Sequence, residues 1–456
     1  LGMEGGLVER VARRTAGNPF FAVQLVGDWV RRGVLRAGGS GFELVPGARV
    51  DMPEDLRQQW KDRVEEFIPT LSAEELRALE LAAVLGNHVD PLEWRAACRL
   101  TRADPSEQLM AALTRMHIAR ASEEDGSWRF AHPMYREVIQ VHARESRRLP
   151  RLHLACVRAL QERGTSQPGS AERLGRHLLM AGQAVQATAM LLRAAEERLA
   201  QGQLAQVDRI LQVRDETLRR LGTRPEDALW GEGPVVRCRM LRIRGERAAA
   251  REEARHVLSE ARRHGWQAVQ ARILCETSDL DFTEGALKDA WKALVEAEPH
   301  ARGTTDRTLL ARVHRKQGRL LLLRGEVEKA QERLLHARED FIRLGDAVRA
   351  SGCLVELAAV ASEQGYTEEA RRRAEQAREA CEAAGDRTGA AHAQVLLGDI
   401  ARRADELDEA LSAYADTEAR FSRAGVSTPA AVPIGRALLR QAIAGPKRAA
   451  AVLENV

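Results

Sequence analysis

A chain of 456 residues is about three times the size of a typical domain, so more than one folded unit is expected. A hydrophobic share of 44% beside 30% charged residues excludes global disorder, and an aromatic share of 4% amid abundant Ala, Leu, Arg and Glu argues for a mainly α fold over a large β-sandwich or barrel. The net charge of +4, from 70 basic and 66 acidic residues mixed along the whole length, does not make the concentrated positive face that phosphate-backbone binding needs.

Residues 8–15 carry a short helical pattern, which Gly17-Asn18-Pro19 breaks. Residues 20–32 then read as an amphipathic helix with Phe21, Leu25, Trp29 and Val30 on its apolar side. A small β-hairpin is expected at 34–37 and 42–45, turning through Gly38-Gly39-Ser40-Gly41. Helices follow at 53–68, 72–85, 91–100 and 106–116, the second opened by the capping box Ser72-Ala73-Glu74-Glu75. A second hairpin is expected at 117–120 and 128–131, turning through Glu124-Asp125-Gly126. Three helices followed by a hairpin is a winged-helix plan.

Further along, 184–200 and 204–221 form a helix hairpin around Gly202, and Gly222-Thr223-Arg224-Pro225 through Gly233-Pro234 is the most loop-like stretch of this half. From about residue 228 the sequence repeats every forty residues. Gly245, Gly285, Gly325, Gly365 and Gly445 lie on one ladder, with Asp405 on the remaining rung. Five residues after each rung stands Ala: Ala250, Ala290, Ala330, Ala370, Ala410 and Ala450. A second ladder, offset by twenty, carries Gly265, Gly345, Gly385 and Gly425, with Thr305 as its exception.

Each period therefore reads as a helix hairpin. Gly can take the left-handed conformation that ends a helix, and the Asp of Gly345-Asp346 and Gly385-Asp386 can cap the next one. Val327, Ala330, Leu334, Ala337 and Phe341 recur at spacings of three and four and mark one buried face. One such hairpin cannot bury its own apolar stripe, so neighbours must stack into a curved solenoid. Residues 445–456 start a sixth period and stop within it, and the sequence opens without Met, so a piece of something longer is expected.

The repeat pattern resembles tetratricopeptide (TPR) repeats in a longer form: Leu397-Gly398, Ala410, Tyr414 and Phe421 are spaced like the family's small and large positions. The region before the repeats resembles STAND-class signalling ATPases, which are AAA/NB-ARC-like bacterial regulators. Residues 12–21, around Gly17-Asn18-Pro19, look like the lid end of their ATPase module. Leu79-Glu80-Leu81-Ala82-Ala83-Val84-Leu85-Gly86 is similar to the first helix of their winged-helix domain, and Phe130-Ala131-His132-Pro133-Met134 to the segment that closes it. The resemblance implies three parts: the end of the ATPase lid with a small hairpin at 1–50, a winged-helix-like domain at 51–150, and TPR-like repeats at 151–456. It implies that Pro19 packs on an adenine ring, with Gly17 and Asn18 shaping the turn, and that His132 donates a hydrogen bond to the β-phosphate of ADP bound by the intact parent protein. Read from the residues themselves, Pro19 equally suits a helix N1 position, and His132 a histidine that locks the wing to the following helix.

Catalytic signatures are missing. A P-loop needs Lys between Gly and Ser or Thr, and none of the Lys residues follows a Gly. No His is followed by Glu, which excludes H-E-x-x-H; Gly38-Gly39-Ser40-Gly41 reads as a hairpin turn, and it fails the G-x-S-x-G pattern at Phe42. His256 and His264 are too far apart to share a metal and are expected in solvent, as is the Arg371-Arg372-Arg373 face. The six cysteines (98, 156, 238, 275, 353 and 381) stand apart in small or apolar surroundings, which suits reduced buried thiols and a cytoplasmic location. No apolar run approaches the ~18 residues of a membrane span, and no signal-peptide pattern opens the chain, so neither membrane insertion nor secretion is expected.

The expected role is the regulatory and sensor half of a STAND-type ATPase, without catalysis of its own. Its array would bind a protein or small effector, an ATPase domain would lie upstream, and nucleotide could control oligomerisation. The parent's output could be a kinase, a cyclase or a transcription factor. The alternative is a stand-alone TPR scaffold that binds protein segments. DNA binding is disfavoured, because 106–116 offers only Arg115 as a basic group.

Overall fold

The computed structural model describes residues 54–122, 126–164 and 169–424, the stretches 33–38 and 41–45, and isolated positions near both ends. The chain divides into two compact units, Leu1–Thr223 and Arg224–Val456. The forty-residue period thus begins with the second unit, and helices between 149 and 220, grouped with the repeats by the sequence, lie in the first.

In the first unit, β1 (Leu35–Gly38) and β2 (Gly41–Leu44) pair antiparallel as the expected hairpin. Helix α1 (Glu54–Phe67) precedes α2 (Ala73–Leu85), which the Ser72–Glu75 capping box opens. Then come β3 (His88–Val89), α3 (Pro91–Thr101), α4 (Glu107–Arg115), β4 (Ala119–Ala121) and β5 (Trp128–Phe130). The strands form one antiparallel sheet in the order β3-β5-β4. Helix–strand–helix–helix–strand–strand is the connectivity a winged-helix plan requires. Its core is apolar and aromatic: Trp94 meets Trp128 edge-on at 5.3 Å, Trp128 meets Phe130 at 5.1 Å, and the Trp94 indole donates to the Ala78 carbonyl at 2.7 Å.

Among the described residues, five further helices follow in this unit: α5 (Pro133–Glu145), α6 (Leu149–Glu162), α7 (Ser170–Met180), α8 (Ala184–Ala200) and α9 (Leu204–Arg220). Arg136 and Gln140 of α5 both donate to the Ala83 carbonyl near the end of α2, at 2.7 and 2.6 Å. Fully buried Glu80 receives Arg148 through two hydrogen bonds, with His142 Nδ1 3.1 Å away. Polar clamps thus fix α5 on the first helix of the plan.

The second unit is a run of hairpins: α10 (Leu229–Ile243) with α11 (Arg247–His264), α12 (Gln267–Thr283) with α13 (Leu287–Arg302), α14 (Arg307–Leu323) with α15 (Val327–Arg343), α16 (Ala347–Glu363) with α17 (Thr367–Ala383), and α18 (Arg387–Arg403) with α19 (Leu407–Ala424). Each helix packs on the next, giving a TPR-like α-solenoid. Gly245, Gly285, Gly325 and Gly365 have φ between 75° and 82°, and Asp405 matches them at 61°. At Gly245 the Glu246 N–H reaches back to the Leu241 carbonyl and the Gly245 N–H to that of Arg242, the paired bonds of a Schellman turn. Ala250, Ala290, Ala330, Ala370 and Ala410 are all fully buried where the helices of a hairpin close. Ala450 and Gly445 lie outside the described residues. Asp346 and Asp386 cap the following helices, as expected, and Asp306 does the same beyond the Thr305 rung.

Three expectations need correction. The supposed loop through Gly233-Pro234 is the first half of α10, so the loop ends at 228. Gly231 explains why: a Cβ there would come within 2.9 Å of Val269 and Trp266, so glycine lets α10 press against α12. Burial of Val235, Val236, Cys238 and Met240 outweighs the hydrogen bond that Pro234 removes. His264 is not a solvated residue, because its ring stacks on Trp266 at 5.1 Å; His256 is exposed. Arg371 is not simply an exposed face either. It bridges to Glu406 and Glu409 of the next hairpin, while Arg372 and Arg373 pair locally with Glu369.

Candidate functional site

Gly17, Asn18 and Pro19 lie outside the described residues. His132 follows β5 and is the N-cap of α5: its ring Nδ1 accepts from the Met134 N–H at 3.1 Å, and the residue is buried. This bond caps the start of α5. With Nδ1 occupied by the cap, a phosphate contact would have to use Nε2.

The larger candidate is on the repeat array. The first helix of each hairpin contacts the first helix of the next, whereas the second helices do not approach one another as closely. The first helices therefore line the inner, concave side. Here the forty-residue period carries charge as well as glycine. Arg239, Asp279 and Arg319 form one column, and Glu276, Lys316 and Glu356 form another. Signs alternate from helix to helix, so neighbours pair across each step: Arg239 with Glu276 at 2.6 Å, Arg242 with Asp279 at 3.4 Å, Lys316 with Asp279, and Arg315 with Glu356 at 3.1 Å.

Glu276 is 1% exposed at the centre of this ladder. Desolvation works to raise its carboxyl, but the charges of Arg239 and Lys316 overcome it and hold the group below the usual carboxylate range. Four cations, Arg312, Arg315, Lys316 and Arg319, occupy α14 at the i, i+3, i+4, i+7 positions of one helix face. They outnumber the carboxylates beside them. Arg319 sits over the Phe282 ring at 4.7 Å, and neither it nor half-buried Arg312 has an ion-pair partner among the described residues.

Beside these cations lies a cavity of about 280 Å³ whose apolar lining is Phe282, Leu320 and Phe341. An adjoining cavity of about 340 Å³ continues past Arg315, Arg319 and Glu356 to Val355, Asp386, Thr388 and His392. Gly352 holds the passage open: a Cβ there would stand 2.7 Å from the Arg315 guanidinium. Burial and the charge of Arg319 push His392 below the ordinary histidine range. Among the described residues no group of three metal-ligating side chains occurs. What this trough offers is cationic, polar and apolar contact along one line, which is the chemistry of binding. The sequence reading of the ladder followed Gly and Ala and passed over these charge columns, although the same period displays them.

No protein-family model matches this chain, and no curated protein matches it. Among solved structures, a STAND signalling ATPase with a tetratricopeptide-repeat sensor from Pyrococcus horikoshii is similar over 86% of this chain, with 13% identity and a TM-score of 0.46. The match spans 63% of that protein's length. A Rap protein complexed with competence and sporulation factor matches 59% of the chain and 75% of its own length, at 11% identity and a TM-score of 0.49. NprR in complex with its cognate peptide NprX matches 58% of the chain and 76% of its own length, at 14% identity and a TM-score of 0.44. Among the described residues no helix is long and apolar enough to cross a membrane.

Proposed function

We propose that this chain is the regulatory and sensor half of a STAND-type signalling ATPase. The concave face of the array binds an effector, and the helix–sheet unit around 73–130 couples that event to a nucleotide switch outside the chain. The observation that carries the reading is the trough: two adjoining cavities on the first-helix side, lined by cationic, acidic and apolar side chains. Binding an effector there stabilises one stacking of the hairpins over another, and a ligand shifts a switch only through such differential affinity. Catalysis belongs to the nucleotide-binding part of the parent protein, which holds ATP or ADP.

The test uses the intact parent protein and respects the N-cap. Replacing His132 by Ala removes both the cap and any phosphate contact, whereas His132→Asn keeps an acceptor for the Met134 N–H. If His132 holds the closed nucleotide state, His132→Asn raises basal output and speeds ADP release without lowering the melting temperature. Unchanged output and ADP retention in both variants would reduce His132 to a cap and count against the switch.

A further inference from the structure

We propose that the trough takes an acidic peptide: an extended segment whose carboxylates pair with Arg312 and Arg319 and whose large apolar side chain rests on Phe282, Leu320 and Phe341. This deepens the effector-binding reading and rests on it. Charge complementarity decides the class of ligand. The first cavity is lined by five cations and two carboxylates, Asp279 and Glu356. Both carboxylates are already engaged, by Lys316 and by Arg315, and the fifth cation, Arg349, is paired with Asp346. Arg312 and Arg319 remain, on one face of α14, without a carboxylate among the described residues.

Arg312 is half-buried and exposed Arg319 is held over the Phe282 ring, so both stand beside an apolar floor, and an anion paired with Arg312 is screened less than one in bulk water. Positions seven apart on a helix are separated by about 10 Å along the axis. A peptide in the extended polyproline II conformation rises about 3.1 Å per residue with three residues per turn, so acidic side chains three apart lie on one face about 9 Å apart and match the spacing. A polyphosphate or nucleic acid fits less well. The wall that carries Arg312 and Arg319 is the middle of α14, whose backbone N–H groups are already spent, and at the start of α18 in the adjoining cavity the Asp386 carboxylate takes the Gly389 N–H and sets a negative charge where a phosphate would sit. The adjoining cavity also presents Glu356 and Asp386, which repel a ligand that is anionic throughout and suit one that is acidic at one end only.

The experiment pans a phage-displayed library of random twelve-residue peptides on the full 456-residue chain and measures the enriched peptides, synthesised and fluorescein-labelled, by anisotropy. The expected selection is rich in Asp and Glu beside Phe, Leu or Met. Arg312→Ala with Arg319→Ala should weaken binding at least about tenfold, with melting temperature unchanged, and Arg312→Glu with Arg319→Glu should turn the preference toward basic peptides. Arg343→Ala and Arg372→Ala, both well exposed on second helices, should leave affinity unchanged. Neutral peptides that still occupy the trough, shown by loss of binding in Val355→Glu, would overturn the acidic class and leave the effector-binding reading standing. Displacement by inorganic phosphate near the peptide's own Kd would assign the arginines to a phosphorylated ligand and overturn it too. Peptides indifferent to every trough substitution, or a library that yields no binder, would remove both readings.

Discussion

His153 and His177 face each other in the first unit with their Nδ1 atoms 2.9 Å apart, so one ring donates and the other accepts. Burial, with the charge of Arg136, holds His153 down at about 4; burial, with its partner and Arg173, holds His177 at about 3. Both folded values lie below the unfolded value of 6.5, so the unfolded chain binds more protons in the interval between them. The stability this pair provides is therefore complete above pH 6.5 and is lost as pH falls toward 4 and 3. Urea midpoints measured from pH 7 to 4 should fall less steeply in a His153→Leu, His177→Leu variant than in the wild type; parallel slopes would show that the pair is not what titrates. Asp405 gives a second residue-scale expectation. It holds a left-handed φ of 61° where the equivalent rungs use glycine, and an L side chain is disfavoured there. Asp405→Gly should raise stability by about 0.5–1 kcal/mol, read as an increase in the denaturation midpoint.

Between neighbouring helices, the alternating charge columns act as ties as well as a binding surface. Glu276 pairs with Arg239 and Arg242 of the preceding first helix and feels the charge of Lys316 on the following one; removing it takes the carboxylate from Arg239 in a buried place, while Arg242 and Lys316 keep Asp279. Glu276→Ala should cost about 3–5 kcal/mol by chemical denaturation, the usual cost of breaking one partner out of a buried ionic group. A loss below about 1 kcal/mol would mean that water already screens the site. Much at this scale was legible in the sequence. Helix ends followed from Gly with positive φ, caps from Ser72, Asp346 and Asp386, and the closest helix contacts from the Ala column. What misled was local chemistry overruled by packing: Gly231, Gly233 and Pro234 look like a loop until Trp266 and Val269 are placed against them. Arg371 looks like solvated surface until the stacking of the next hairpin brings Glu406 and Glu409 within reach. The trough was hidden for the same reason. Arg312, Phe282 and Phe341 belong to three helices, and only the superposition of periods puts them beside one cavity.

At the scale of the whole molecule, the proposed regulatory function rests on a stack of hairpins in the second unit whose first helices face one side. The most direct measurement places a photoreactive amino acid at Val355, beside the trough, or at Val295 or Leu335, which are exposed on second helices, and illuminates the intact protein under inducing conditions. Cross-links to effector from Val355, lost with Arg312→Ala and Arg319→Ala and absent from Val295 and Leu335, are the result expected. Cross-links formed only from the second-helix positions would place recognition on the outer face and contradict the account.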